Sequence, residues 1–85
     1  MADVHYTLAI SDEALSQLRG LSKDQRRRIG QRLTNLQNNW SGDVKKLAAK
    51  EQKYRLRVGD YRVLFRLEGK LIAIYAVKDR KEAYE

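Results

Sequence analysis

An α+β domain in the order β-α-α-β-β-β, with an antiparallel sheet covered on one face by a helical hairpin, is the fold this 85-residue sequence predicts. Three observations carry that expectation: a loosely alternating opening segment, two serine-capped stretches with helical periodicity, and a switch to period two from Lys53 onward.

Positions 3–10, DVHYTLAI, favour β-branched and aromatic residues and put Val4, Tyr6, Leu8 and Ile10 on one strand face. Ser11 followed by Asp12 and Glu13 is an N-cap whose carboxylates meet the positive end of a helix dipole, and Gly20 ends that short helix. Leu15 and Leu18 are expected to face the core. Ser22 and Gln25 have the spacing of a capping box and open a longer helix. There Ile29, Leu33, Leu36 and Trp40 form one apolar stripe, opposite Arg26, Arg27, Arg28 and Arg32, a charged face that is ordinary amphipathicity. Asn38, Asn39, Ser41, Gly42 and Asp43 break the period.

Beyond Lys53, Tyr54, Leu56 and Val58 alternate with Arg55 and Arg57; after a Gly59-Asp60 turn, Tyr61, Val63, Phe65 and Leu67 alternate with Arg62, Leu64 and Arg66. Glu68-Gly69 marks a second tight turn, with the glycine suited to a positive φ, and residues 70–78 complete a three-stranded meander. Tyr54, Tyr61, Phe65 and Trp40 all lie on predicted apolar faces and are assigned to the core. With no proline, linker composition or internal repeat, residues 1–85 make one domain.

Composition narrows the chemistry. The chain has no cysteine and one histidine, His5, so thiolate nucleophiles, sulfur-based zinc sites and His clusters are excluded, and no metal or cofactor is expected. His5 lies on the first strand and is read as structural. No apolar run approaches the roughly 20 residues of a membrane span. The start, Met1-Ala2-Asp3-Val4-His5, lacks the basic and apolar stretches of a signal peptide, so a cytoplasmic location and no membrane partner are expected.

Eighteen Lys and Arg stand against eleven Asp and Glu, a formal net charge of +7. The excess is concentrated between Lys45 and Arg66, where Lys45, Lys46, Lys50, Lys53, Arg55, Arg57, Arg62 and Arg66 face only Glu51 and Asp60. Strand alternation puts Arg55 and Arg57 on one face of their strand, and Arg62 and Arg66 on one face of its neighbour. Four guanidinium groups on one open sheet face repel one another unless an anion joins them, and guanidinium suits bidentate phosphate recognition. A phosphate backbone is the expected partner. The bland alternative is a solvated face whose charges discourage aggregation.

The run YRLRVGDYRVLFRL, preceded by Lys-Lys-Leu and followed by a Glu-Gly hairpin, LIAIYAV and a terminal DRKEAY, closely resembles the RelE branch of the RelE/ParE toxin superfamily, the toxin halves of bacterial toxin-antitoxin pairs. The resemblance covers essentially the whole chain. It implies a ribosome-dependent endoribonuclease, an mRNA interferase that cuts mRNA in the ribosomal A site. The ribose 2′-hydroxyl would attack the adjacent phosphate to leave a 2′,3′-cyclic phosphate, with no metal or cofactor, and translation would stop. Carried over by position, the catalytic set is Arg55, Arg57, Arg62, Arg80 and Tyr84. Arg62 and Arg80 would bind the scissile phosphate, Tyr84 would stack on or orient the nucleotide, and Arg55 and Arg57 would clamp flanking phosphates. Lys45, Lys46, Lys53, Arg66 and Lys78 would add RNA and ribosome contacts.

Two departures from the family pattern bear on mechanism. Arg55 and Arg57 stand where relatives often carry lysine, and arginine, with a pKa above about 12, is a poor general base. The base is then Tyr84, Lys53 or Lys78, or catalysis is mainly electrostatic. Asp79 precedes Arg80 where some relatives have histidine or glycine, and a carboxylate there is able to orient an arginine. By resemblance the partners are the ribosome, its mRNA and a cognate acidic-tailed antitoxin, with operator DNA reached only through the antitoxin complex. The alternative with the same fold is a ParE-like, non-enzymatic inhibitor of DNA gyrase; a third is a basic RNA-binding module without catalysis.

Overall fold

The computed structural model describes residues 5–48, 50–79 and 81. The chain runs β1 (Thr7–Ile10), α1 (Asp12–Arg19), α2 (Lys23–Asn39), β2 (Asp43–Ala48), β3 (Lys53–Val58), β4 (Tyr61–Glu68) and β5 (Leu71–Asp79). The strands form one sheet in the order β1-β5-β4-β3-β2. All pairings are antiparallel except that of β1 with β5. The α+β class and the helical hairpin are as expected; the sheet has one strand more, β2, where the sequence reads only as a break in helical period. Its pairing with β3 shifts register between Lys46 and Ala48, so a bulge spoils the alternation that reveals a strand.

Both helices start as their sequences dictate. Ser11 Oγ accepts from the Ala14 amide, while Ser22 and Gln25 make the complete reciprocal capping box. The stripe of α2 buries Ile29, Leu33 and Leu36 against Leu56, Val58, Val63, Phe65, Ile72, Ile74 and Val77 of the sheet. In α1 the fully buried residue is Ala14, with Leu15 and Leu18 only half-buried. A small residue there lets the short helix lie close on β5, and Gln17 locks it by accepting the Val77 amide through Oε1. β1 also departs from expectation: Tyr6 and Leu8 pack on the core, whereas Ile10, at the end of an edge strand, is 39% exposed.

Trp40 ends α2 in the left-handed region at φ 54°, its amide bonded to the Leu36 carbonyl at 2.9 Å. The ring is fixed by an aromatic cluster as expected, with centroids 5.1 Å from Tyr6, 5.4 Å from Tyr54 and 5.9 Å from Phe65. Two-residue turns at Gly59 and Gly69, with φ of 58° and 63°, fold β3, β4 and β5 into the meander. Its helix-free face is the one that carries the arginines.

Candidate functional site

Because side chains of directly paired residues share a sheet face, the register sorts the basic residues into cross-strand rows. Lys78, Arg62, Arg57 and Asp43 make the first row, from β5 across β4 and β3 to the edge strand β2. The second contains Ala76, Leu64, Arg55 and Lys45, and the third Ala73, Arg66, Lys53 and Ala48. Arg55, Arg57, Arg62 and Arg66 therefore occupy one face, as alternation predicts, with Lys45, Lys53 and Lys78 beside them. Lys46 does not join them. It is paired with Tyr54, and its Nζ lies 5.6 Å from that ring's centroid, on the helix side of the sheet.

Arg57 and Arg62 are direct cross-strand partners, the tightest backbone placement of two guanidinium groups on this face. Like charges so placed destabilise the strand pair and attract an anion. Arg62 is held by local backbone: its Nη1 donates to the carbonyls of Gly59 at 3.5 Å and Tyr61 at 3.3 Å. The turn that supplies those carbonyls is braced from the helices, since the Tyr61 hydroxyl donates to Gln25 Oε1 at 3.1 Å. Asp43 brings a carboxylate into the same row, a group able to accept a proton beside Arg57. In the sequence Asp43 falls in the apparent break after α2, and only the pairing of β2 with β3 brings it into the row.

Between the second and third rows, on the same face, lies Tyr75. Tyr75 sits where the pairing of β4 with β5 slips between Leu64 and Phe65, and its ring lies 5.7 Å from the Arg66 guanidinium carbon and 5.9 Å from Lys53 Nζ. Strict alternation with Ile72 and Ile74 was the signal available for it. Lys53 is also ion-paired with Glu51 at 2.8 Å, and this hydrogen bond and charge hold the Glu51 carboxyl below its ordinary range. His5 is exposed and precedes β1, whose register sets it beyond the Leu71 end of β5, opposite the Lys78 end. Arg26 serves the hairpin, its Nη1 donating to the Arg19 carbonyl at 3.3 Å. Arg80 and Tyr84 lie outside the described residues. Asp79 Oδ1 accepts the Lys81 amide at 2.9 Å. No helix among the described residues is long and apolar enough to cross a membrane.

Residues 8–84 match the family model described as the ParE toxin of the type II toxin-antitoxin system, parDE. No curated protein matches the chain in sequence. Among solved structures, the chain is 30% identical to a protein in the archaeal RelE-RelB complex from Pyrococcus horikoshii OT3, with a TM-score of 0.77 over 92% of this chain and 98% of that one. It is 28% identical to a chain in the RelB-RelE antitoxin-toxin complex from Methanococcus jannaschii, with a TM-score of 0.72 over 85% of this chain and 89% of that one. The free E. coli toxin RelE, in a doubly substituted form, shares the fold at a TM-score of 0.78 and 17% identity, over 93% of this chain and 87% of that one. With a family model spanning nearly its whole length and a RelE relative matched almost end to end, this chain belongs to the RelE/ParE superfamily of type II toxin-antitoxin toxins, as a RelE-type member.

Proposed function

We propose that this toxin is a metal-independent endoribonuclease that cuts mRNA in the ribosomal A site and so blocks translation. The observation that carries the reading is the cross-strand row of Lys78, Arg62 and Arg57, three cations in register on a face that neither α1 nor α2 covers. In the reaction the ribose 2′-oxygen forms a bond to the adjacent phosphorus as the bond to the 5′-oxygen breaks. The 2′-hydroxyl proton passes to a base, and the departing 5′-oxygen takes one up. The substrate supplies its own nucleophile, so the protein's work is to orient the step and stabilise charge on the phosphorane. Arg57 and Arg62 grip the scissile phosphate, with Arg80 and Tyr84 joining by resemblance, and Arg55, Lys45 and Lys78 hold flanking phosphates. Asp43 is the carboxylate available in the row to take the 2′-proton, a role for which arginine is ill suited.

Incubation with ribosomes stalled on a defined mRNA tests this directly. Cleavage at the A-site codon that leaves a 2′,3′-cyclic phosphate is expected, and Arg62→Ala is expected to lower the rate by about 10²–10³-fold, the usual loss when one preorganised charge-stabilising donor is removed. Intact mRNA together with blocked gyrase supercoiling would instead establish the second reading, a ParE-like gyrase inhibitor, which the match to the ParE model favours. A cognate antitoxin with an acidic C-terminal segment is the proposed partner, laid over the cationic face and the helical hairpin, and operator DNA is reached only through that complex. Hydrogen-exchange protection confined to other surfaces would rule that docking out.

A further inference from the structure

Beside the third row, the open face of the sheet dips into a hollow of about 290 Å³. Its floor is two alanines: Ala9 of β1 and Ala73 of β5 are paired in register, so no side chain larger than a methyl fills the space above them. Around it stand Tyr75, Arg66, Glu68 and the exposed Ile10. Arg66 and Tyr75 are also the pair whose guanidinium carbon and ring centroid lie 5.7 Å apart, with Lys53 approaching the same ring. An aromatic ring and a planar cation are the two side-chain types on which unpaired bases stack. A small-residue floor beneath them leaves room for a flat ring, and Glu68 adds an acceptor suited to an exocyclic amino group.

We propose that this hollow is a base-binding subsite for single-stranded RNA, in which Tyr75 and Arg66 stack a nucleotide that flanks the cleaved one. The inference rests on the RNA-cleaving reading for its substrate and adds where a second base is held. Arg62 and Arg66 are four residues apart on β4, about 13 Å at 3.3 Å per residue. That exceeds one stacked step of about 3.4 Å several times over, so the base held here is not the one at the scissile phosphate. Between the two points the face carries Leu64 and Ala76, with Arg55 paired beside Leu64 to meet the intervening phosphate backbone, and the charge of Arg55, Arg62, Arg66 and Lys53 selects RNA over a neutral apolar ligand.

The test uses the whole protein and a short single-stranded RNA, with binding read by fluorescence anisotropy independently of cleavage. Abasic sites are introduced one position at a time. One position away from the cleavage step is expected to weaken binding by about tenfold, within the range for loss of a single stacked base. Tyr75→Ala is expected to cause the same loss on intact RNA and no further loss on RNA abasic at that position, while Tyr75→Phe binds normally. In ribosome cleavage assays the Tyr75→Ala effect falls on KM and leaves kcat within about twofold. Equal binding at every abasic position overturns the subsite using the unaltered protein, even if Tyr75→Ala fails to fold. A Tyr75→Ala defect that is the same on every abasic RNA, or one confined to antitoxin binding, overturns it as well. Tyr75-dependent binding without any cleavage would preserve the subsite and refute the nuclease reading.

Discussion

Arg57 and Arg62 show how a pair proposed to bind phosphate works against the fold. Each occupies an open-face position in adjacent strands, and the register sets them directly opposite each other. Cross-strand pairs contribute roughly 0.2–1 kcal/mol, with like charges unfavourable. Arg57 is exposed, so its removal leaves no cavity. On its other side Arg57 pairs with Asp43, an opposite charge that offsets the repulsion from Arg62, so Arg57→Ala is expected to change stability by less than about 0.5 kcal/mol in urea unfolding, while lowering mRNA cleavage at least tenfold. A large loss of stability would show that the guanidinium belongs to the scaffold. Alternation alone made the four arginines legible in advance. Asp43 was not, because it opens an edge strand that resembles a loop until β3 pairs with it; alternation with Ile72 and Ile74 puts Tyr75 on the open face, but its approach to Arg66 and Lys53 depends on the pairing of β4 with β5 and of β3 with β4. Only the pairing of β2 separates Lys46 from Lys45, because it turns Lys46 toward Tyr54 on the helix side and Lys45 to the open face.

At the scale of elements, the link from α2 to β2 is constrained at two positions, Trp40 and Gly42. Trp40 takes a left-handed conformation that costs a non-glycine residue energy, and its ring contacts with Tyr6, Tyr54 and Phe65 offset that cost. Two residues on, Gly42 has φ of 132°, and a Cβ there would lie 2.9 Å from Leu56 Cδ1, on a residue that is fully buried. Gly42→Ala thus meets both backbone strain and a core contact that is hard to move. The expected loss is about 2 kcal/mol in chemical denaturation, with a parallel fall in cleavage because β2 carries Asp43 and Lys45 onto the proposed RNA-binding face. Gly30→Ala is the matched control: its Cβ would meet nothing within 4 Å, and the helix propensity of alanine is about 1 kcal/mol better. Helix caps and glycine turns were readable because local residue chemistry suffices for them. β2 was not, since a bulged, lysine-bearing edge strand resembles a loop until a partner pairs with it.

Across the whole molecule, the net charge of +7 is arranged rather than spread. One layer of the fold is an apolar sheet face sealed by two helices, and the other is a cationic surface reaching from Lys78 to Lys45. Binding of single-stranded RNA to such a face releases counterions, with a slope of log affinity against log salt of about −0.7 per phosphate neutralised. Arg57→Ala and Arg66→Ala are each expected to reduce that slope by about 0.7, and Arg27→Ala, on the exposed side of α2, to leave it unchanged. Equal slopes for all three variants would mean that the charge acts only as a diffuse field.

Local chemistry settled much of this protein before any packing was known. Caps, turns and hydrophobic period are properties of a few neighbouring residues, so the helical hairpin, the meander and the arginine-bearing face follow from chain order alone. The absence of cysteine and the single histidine likewise narrowed the chemistry to charge, tyrosine and carboxylates. Long-range pairing decided the rest. The parallel seating of β1 on β5, the extra strand β2, the alignment of Lys78, Arg62, Arg57 and Asp43 in one row, and the alanine-floored hollow beside Tyr75 each depend on register between segments distant in sequence. Backbone hydrogen bonds between strands set that register, and no single strand's residues encode which partner will satisfy them.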